Sequence, residues 1–476
     1  MTHEQYFLQR RTGGQWETLS RGTVFGPMEA EASGMLGSGE ATALRIVGAT
    51  FDEAAGRWNY ARVFQASAPP QRTAGLVVSS RFAYVALLLG GLIVAISFGT
   101  RGGFGLFLGP ISLDFGVGRE VFALSIALQN LVWGATQPFF GAFADRYGPV
   151  KAIMVGALFY VAGLVLMAMS TGPAMLYFSA GFVVAVGLSG TSFGIIFSAV
   201  AQLFPVERRS WALGIVGAAG SLGQFMIVPA AQQLLDAFGW SAALLILAAT
   251  ALLMIPMGLV FLKARPVPQS DAPRSLTMRQ ALSEALHHPS FWFLVLGFFV
   301  CGFHVAYISI HLPSYVVDLG LAAQTGAWAI GLVGLCNVVG SYLAGVAGGR
   351  YPKKYLLSLL YFGRALVMAG FVLLPPSETM VYVFAVLMGF LWLSTVPLTS
   401  GLVAHIYGPR YMGLLFGIIF FSHQIGGFLG AWFGGYAYDT FGSYEVVWWI
   451  SIGLGVASAL VHWPIRERPV AHLAPA

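Results

Sequence analysis

From Phe82 onward the chain alternates apolar runs with short polar connections, and the runs have the length, about 20 residues, that crosses a hydrocarbon core as α-helix. Twelve such helices are predicted, near 82–112, 121–144, 149–170, 173–202, 210–236, 240–262, 290–316, 323–349, 353–374, 378–404, 410–437 and 443–463. Residues 1–72 follow another rhythm. QYFLQRRTGGQWETLSRG predicts two strands around Thr12-Gly13-Gly14, PMEAEASGML a short helix, and ALRIVGATFDEAAGRWNYARVF a second hairpin. A small α+β module of order ββαββ is expected there, with a ligand or protein partner that the residues do not identify.

The segment 263–289 begins Pro-rich and then offers Thr277-Met278-Arg279-Gln280, a capping-box pattern, before Leu282 and Leu286 at i, i+4 spacing. It predicts a short amphipathic helix on the membrane surface, tethering two transport halves at 73–262 and 290–464; residues 465–476 form a tail.

Composition makes the membrane reading firm. Charged residues are 9% and apolar residues 57%, against about 25% charged in ordinary soluble domains, and the mean hydropathy is +0.76. With the N-terminal side taken as inside, the inner connections and tail hold fourteen Lys and Arg, from Arg146 and Lys151 to Arg466 and Arg468, whereas the outer connections hold only Arg119. By the positive-inside rule both termini are cytoplasmic. That asymmetry accounts for the net charge of +6 without nucleic acid. The N-terminus does not read as a signal peptide. Cys301 and Cys336 both fall inside spans, so no disulfide framework is expected.

The spans form two sets of six. Asp236-Ala-Phe-Gly239 recurs as Asp439-Thr-Phe-Gly442, 203 residues later, and the same offset carries Gly214 onto Gly417 and Gly223 onto Gly426. GAFADRYGPVK, Gly141 to Lys151, is echoed by GVAGGRYPKK, Gly345 to Lys354. The expected fold class is therefore an all-α membrane protein of twelve transmembrane helices in two parallel six-helix repeats, beside the small cytosolic N-terminal module.

The loop GAFADRYGPVK resembles the G-x-x-x-D-R-x-G-R-K signature of the major facilitator superfamily, matched at Gly141, Asp145, Arg146 and Gly148, with Pro149 and Val150 in place of basic residues. Glycine permits close helix contact and Asp145 can cap a helix start or pair with cations. The resemblance implies a gate on the inner side at Gly141, Asp145, Arg146 and Gly148, joined by Arg350 from the second copy. Within the superfamily, SFGTRGGFGLFLGPIS, Ser97 to Ser112, and WLSTVPLTSGLVAHIYGPRYMGLLFGIIFFSHQIGG, Trp392 to Gly427, resemble the monocarboxylate porters and their bacterial relatives. Animal members carry an Asp and an Arg in the eighth span; here 325–349 holds no charge, and Asn337 is its strongly polar mid-span side chain. The resemblance implies a site near the midplane lined by spans 1, 4, 7 and 10.

Arg101 is the charge that most requires a reason. It lies deep in the first span, where a cation costs about 2.5–3.5 kcal/mol on insertion scales and faces a bundle interior or a water-filled path. Ser97 and Phe104 share its helical face, and Gly102, Gly103 and Gly105 allow a bend or a close approach. His304, Tyr307 and His311 form a stripe in span 7; His304 is the candidate for proton coupling, since imidazole titrates near neutrality. Asn130, Trp133 and Gln137 make a similar stripe in span 2, and His423 and Gln424 lie side by side in span 11. The expected substrate-binding set is Arg101, Phe104, Asn130, His304, Tyr307, Asn337 and His423. Arg364, a second mid-span charge, is expected to anchor neighbouring carbonyls or to snorkel toward the inner face. The acidic residues after position 72 fall at loops, tails or span ends, which disfavours cation export.

No Walker loop and no zinc-spaced Cys/His cluster occurs, so neither a cofactor nor a metal is expected and the chain does not read as an enzyme. The expected function is secondary transport of a small organic anion, foremost a short monocarboxylate, coupled to protons by alternating access across a bacterial inner membrane. A carrier for a dicarboxylate or an uncharged metabolite, and a nontransporting receptor signalling through residues 1–72, are the alternatives.

Overall fold

In lipid, backbone N–H and C=O groups must find partners within the chain, so long apolar runs resolve into helices. The computed structural model describes residues 4–12, 15–23, 31–32, 35, 43–52, 57–67, 80–204, 206–263, 278–407, 412–468 and 470. They divide into two units, Met1–Ser79 and Ser80–Ala476.

The first unit is an antiparallel sheet of β1 (Glu4–Thr12), β2 (Gln15–Gly22), β3 (Ala43–Asp52) and β4 (Arg57–Ser67), in the order β2-β1-β3-β4. Alternation sends Leu8, Leu44 and Ile46 to one face, where they are buried against Ala32. Thr12 pairs with Gln15 across the tight β1–β2 turn. Of the short helix expected within 27–36, Glu31, Ala32 and Met35 are helical and the remainder lies outside the described residues.

The second unit is helical. Its N-terminal part runs α1 (Ser80–Gly102), a 3-10 turn (Phe104–Phe107), α2 (Leu108–Phe115), α3 (Arg119–Tyr147), α4 (Pro149–Ala168), α5 (Pro173–Leu176), a π-helical turn (Tyr177–Val183), α6 (Val184–Thr191), α7 (Phe193–Ala201), α8 (Val206–Leu252) and α9 (Met254–Gly258). Its C-terminal part runs α10 (Met278–His287), α11 (Pro289–Asp318), α12 (Ala323–Gly348), α13 (Lys353–Leu373), α14 (Glu378–Leu391), α15 (Thr395–Tyr407), α16 (Met412–Phe441) and α17 (Glu445–His462). The helix expected between the halves is α10; its expected cap, Thr277, lies outside the described residues.

Among the described residues, ten segments rather than twelve are long and apolar enough to cross a membrane. Two physical reasons separate the numbers. Gln129, Asn130, Thr136 and Gln137 dilute the apolar character of α3, although it is 29 residues long. The helix Val206–Leu252 continues through Gly239, whose φ of 79° and ψ of 171° break the helical path, so two expected spans lie in one element.

Close packing rests on small residues. A side chain at Gly223 would strike the backbone of Ala95 on α1, and one at Gly426 the carbonyl of Phe299 on α11. These two glycines, 203 residues apart, thus make matching contacts, α8 on α1 and α16 on α11. At Gly148, φ is +92° between the end of α3 and Pro149 at the start of α4, a conformation that favours glycine.

Candidate functional site

Three breaks in the helices define where the polar residues gather. The first span leaves α-helical geometry at Gly102, immediately after Arg101, and turns through the 3-10 segment. The fourth breaks at Ser192, which is extended with φ −79° and ψ 169°. The third break is Trp392–Ser394, between α14 and α15. Interrupted helices at membrane depth leave backbone groups that need partners, and such breaks mark the binding region in transporters.

Arg101 is half-buried among these elements. Its Nη2 donates to Asn130 Oδ1 at 2.6 Å, and its guanidinium carbon stands 5.1 Å from the centre of the Trp133 ring. Its Nε is buried without a hydrogen-bond partner among the described residues. Asn130 in turn donates to the Ile126 carbonyl at 3.0 Å, which aims its oxygen at the guanidinium. Trp133 Nε1 donates to Gln137 Oε1 at 2.9 Å, and the Ser192 hydroxyl donates to the same oxygen at 2.9 Å, tying α3 to the break in the fourth span. Ser97 and Thr191 hydroxyls meet at 2.9 Å, a second tie between α1 and α6. The ion pairs among the described residues are Arg10–Glu17 and Arg119–Asp318, so neither includes Arg101. The Arg101 guanidinium is thus half-buried, oriented by an amide and an indole, and makes no ion pair with a carboxylate among the described residues.

The C-terminal part approaches this cluster through α16. Gln424 and Phe421 lie against Gly134, and Asn130 against Gly427. Phe420 packs edge-on to Trp133 with centroids 5.7 Å apart and stacks with His423 at 5.8 Å. His423 is half-buried and its Nδ1 lies 3.2 Å from Gln424 Oε1. The structure therefore gathers Arg101, Asn130 and, through Trp133 and Phe420, His423.

The other expected residues are engaged elsewhere. Phe104 is fully buried in the 3-10 turn, not exposed beside Arg101; its neighbour Gly105 sits directly on the Ser309 and Ile310 backbone of α11. His304 is fully buried and donates from Nε2 to the Ser451 carbonyl at 2.8 Å. Tyr307 packs on Trp448 at 5.0 Å, and His311 Nε2 donates to the Ala431 carbonyl at 2.7 Å. The His304–Tyr307–His311 stripe faces α16 and α17, because those helices offer carbonyls and aromatic rings that match it. Asn337 joins three elements. Its Nδ2 donates to Ser221 Oγ at 2.9 Å, and its Oδ1 accepts from the Leu393 N–H at 2.9 Å and from Ser341 Oγ at 3.0 Å. Arg364 is fully buried and, as expected, donates to carbonyls, those of Leu391 and Trp392 at the third helix break.

Of the gate residues, Gly148 is buried and forms the turn, whereas Arg146 and Arg350 are exposed. Arg146 lies 5.3 Å from the Tyr147 ring centre. Gly141 is half-buried in α3, with open space where a side chain would stand; Asp145 is in the last turn of the same helix.

Sequence reasoning missed the partners of Arg119, which form a cluster at the opposite end of α3. Arg119 Nη1 and Nη2 donate to Asp318 at 2.6 and 2.7 Å, and Nη1 also donates to the Tyr444 hydroxyl at 3.0 Å. Its guanidinium carbon lies 3.7 Å from the Tyr438 ring centre, and Trp432 Nε1 donates to Glu120 at 2.7 Å. Gln324 donates to Asp236 at 2.8 Å. The lone cation among outer connections was the available signal; its partners, 199 to 325 residues away, were not.

A family model described as Major Facilitator Superfamily matches residues 87–431, and the chain belongs to that family of transporters. It is 26% identical over 391 residues to a Bos taurus protein named monocarboxylate transporter 13, covering 79% of this chain and 88% of that one. It is 25% identical to the uncharacterized MFS-type transporter YcxA of Bacillus subtilis, covering 77% and 91%. Among solved structures, an inward-facing, occupied bacterial homolog of the human lysosomal transporter Spinster superposes with a TM-score of 0.67 at 17% identity, covering 83% of this chain and all of that one, a likeness of fold.

Proposed function

We propose that this transporter carries a small organic anion, foremost a short monocarboxylate, together with protons, and that Arg101 receives the carboxylate. The observation that carries the reading is the unpaired Nε of a guanidinium already oriented by Asn130 and Trp133 beside two broken helices. The name of the bovine relative agrees with that substrate class.

The architecture proposed is twelve helices in two parallel six-helix repeats. Counting α3, and dividing α8 at Gly239, brings the ten apolar segments to twelve. Gly223 and Gly426 supporting the same kind of contact in each half favours the repeat. We take both termini to lie on the cytoplasmic side of a bacterial inner membrane; the distribution of Lys and Arg favours that orientation. The Arg119 cluster then closes the outer side, and Gly141, Asp145, Arg146, Gly148 and Arg350 belong to the inner gate.

The binding set we propose is Arg101 and Asn130 from one half and His423 from the other. The hydrogen bonds of His304 and Asn337 and the packing of Tyr307 on Trp448 favour supporting parts for these residues, holding α11 to α17 and α8 to α12.

The test is uptake of labelled lactate, pyruvate and other small acids into proteoliposomes, with and without an inward proton gradient. Competable, gradient-stimulated uptake is expected. Absence of flux for every acid in tight vesicles would overturn the reading.

A further inference from the structure

We propose that the Cys301 thiol is the protonatable partner of the buried Arg364, and that this pair takes up the coupled proton. The inference rests on the proton-coupled reading above and names the group that serves it.

Arg364 is a fully buried cation on α13. It donates to the carbonyls of Leu391 and Trp392, and Nη1 has no partner among the described residues. Carbonyl dipoles satisfy donors but do not cancel a charge, and a buried ion without a counterion is unfavourable because it has lost its hydration. Neither ion pair among the described residues includes it. Its Nη2 instead lies 3.6 Å from Cys301 Sγ, within donating distance for sulfur.

Cys301, on α11, is also fully buried. Thr395 Oγ1 stands 3.2 Å from its sulfur, and His423 on α16 is within electrostatic reach of it. The other acid beside Arg364 is Tyr361, whose ring centre is 5.3 Å from the guanidinium carbon. A phenol ordinarily ionises near pH 10 and a thiol near 8.5, so the thiol is the first to supply the missing negative charge. The remaining titratable groups around the pair are His304, within electrostatic reach of Arg364, and His462 on α17, stacked on Tyr361 at 5.0 Å.

His423 links this pair to the anion site. It is half-buried and stacks on Phe420, which packs on Trp133, the ring that carries Arg101. A proton carried to the site by hydronium passes to the Cys301 thiolate: an O–H bond breaks, an S–H bond forms and water is left. The pair then changes from neutral to singly positive, which favours an anion at the nearby interface. By linkage, a bound anion raises the proton affinity of the thiolate by the same factor.

The test uses the full chain with Cys336→Ser, which leaves Cys301 as the sole thiol, reconstituted in lipid and followed by the infrared S–H stretching band from about pH 5 to about pH 9. We expect the band to be absent at neutral pH and to appear on acidification. Adding Arg364→Gln should restore the band at neutral pH, and Arg364→Lys should keep it suppressed. A full S–H band through neutral pH in the Cys336→Ser protein would overturn the ion pair, whether or not any substrate is transported. In uptake assays, Cys301→Ser should abolish stimulation by a proton gradient while counterflow persists; wild-type-like stimulation in that variant would overturn the coupling role. If the wild-type protein moves no acid at all, the transport reading fails and the infrared titration still decides the pair.

Discussion

The carboxylate of Asp439 accepts the backbone N–H groups of Arg119 and Glu120, at 2.9 and 2.8 Å, across 320 and 319 residues of sequence. It caps the N-terminus of α3 from the far end of α16, as a local Asp caps its own helix. The contact needs the end of α16 beside the start of α3, so separating these ends would break it, and a latch role is the prediction to test.

Asp439→Asn keeps the shape and weakens the cap, by about 1 kcal/mol or roughly a fivefold shift toward the open end. In a chain with both native cysteines changed to serine, a Ser112→Cys reporter beside Gly118 should then react several-fold faster with an impermeant thiol reagent. An unchanged rate would deny the latch.

Arg119 and Asp318 make the strongest charged contact in the same cluster. Arg119→Asp and Asp318→Arg should each reduce uptake, and the exchanged pair should recover part of it. Full recovery is not expected, because Tyr438 and Tyr444 also hold the Arg119 guanidinium.

Arg101→Ala should lower uptake by more than about a hundredfold, the loss from removing one partner of a buried charge contact, near 3 kcal/mol. The variant should still elute as a monodisperse, folded protein. Normal uptake by such a protein would remove Arg101 from the site.

Two pairs of repeat-related glycines should behave differently. Gly426→Val would drive a side chain into the Phe299 carbonyl and should lower stability by about 1–3 kcal/mol or more. At Gly214 and Gly417 an added Cβ would meet no neighbouring element within 4 Å among the described residues, so Gly417→Ala should be neutral or raise the melting temperature. Thermal unfolding in detergent distinguishes them.

His288, just before α11, lies 3.1 Å from the Tyr407 hydroxyl, and partial burial, then Arg466, hold its imidazole below its ordinary pKa. A lowered histidine pKa means the unfolded chain binds more protons. Its contribution is therefore present above the unfolded value, about 6.5, and is lost as pH falls below it. His288→Gln should shallow the acid-side decline in melting temperature; an identical decline would exclude this source.

Much of the architecture was legible in order and composition. Helix length, the Gly223–Gly426 spacing, the linker helix and the strands around Thr12-Gly13-Gly14 follow from hydrophobic period and turn chemistry, which act over a few residues. The carbonyl anchoring of Arg364 was one of two readings that its mid-span position left open, the other being snorkelling toward the inner face. The stripe His304–Tyr307–His311 was visible as a stripe, but nothing along the chain said which neighbour it faced.

By itself the sequence determined a membrane-embedded helical protein, the family signature at Gly141–Gly148 and the presence of an intramembrane guanidinium, because each depends on composition or local spacing. Tertiary structure alone decided which polar groups meet. It turned His304 toward Ser451 and Asn337 toward Ser221 and Leu393, brought Cys301 to Arg364, and joined Arg119 to Asp318 and Asp439. The physical reason is that a buried polar side chain takes the partner that helix packing presents, and packing unites residues hundreds of positions apart.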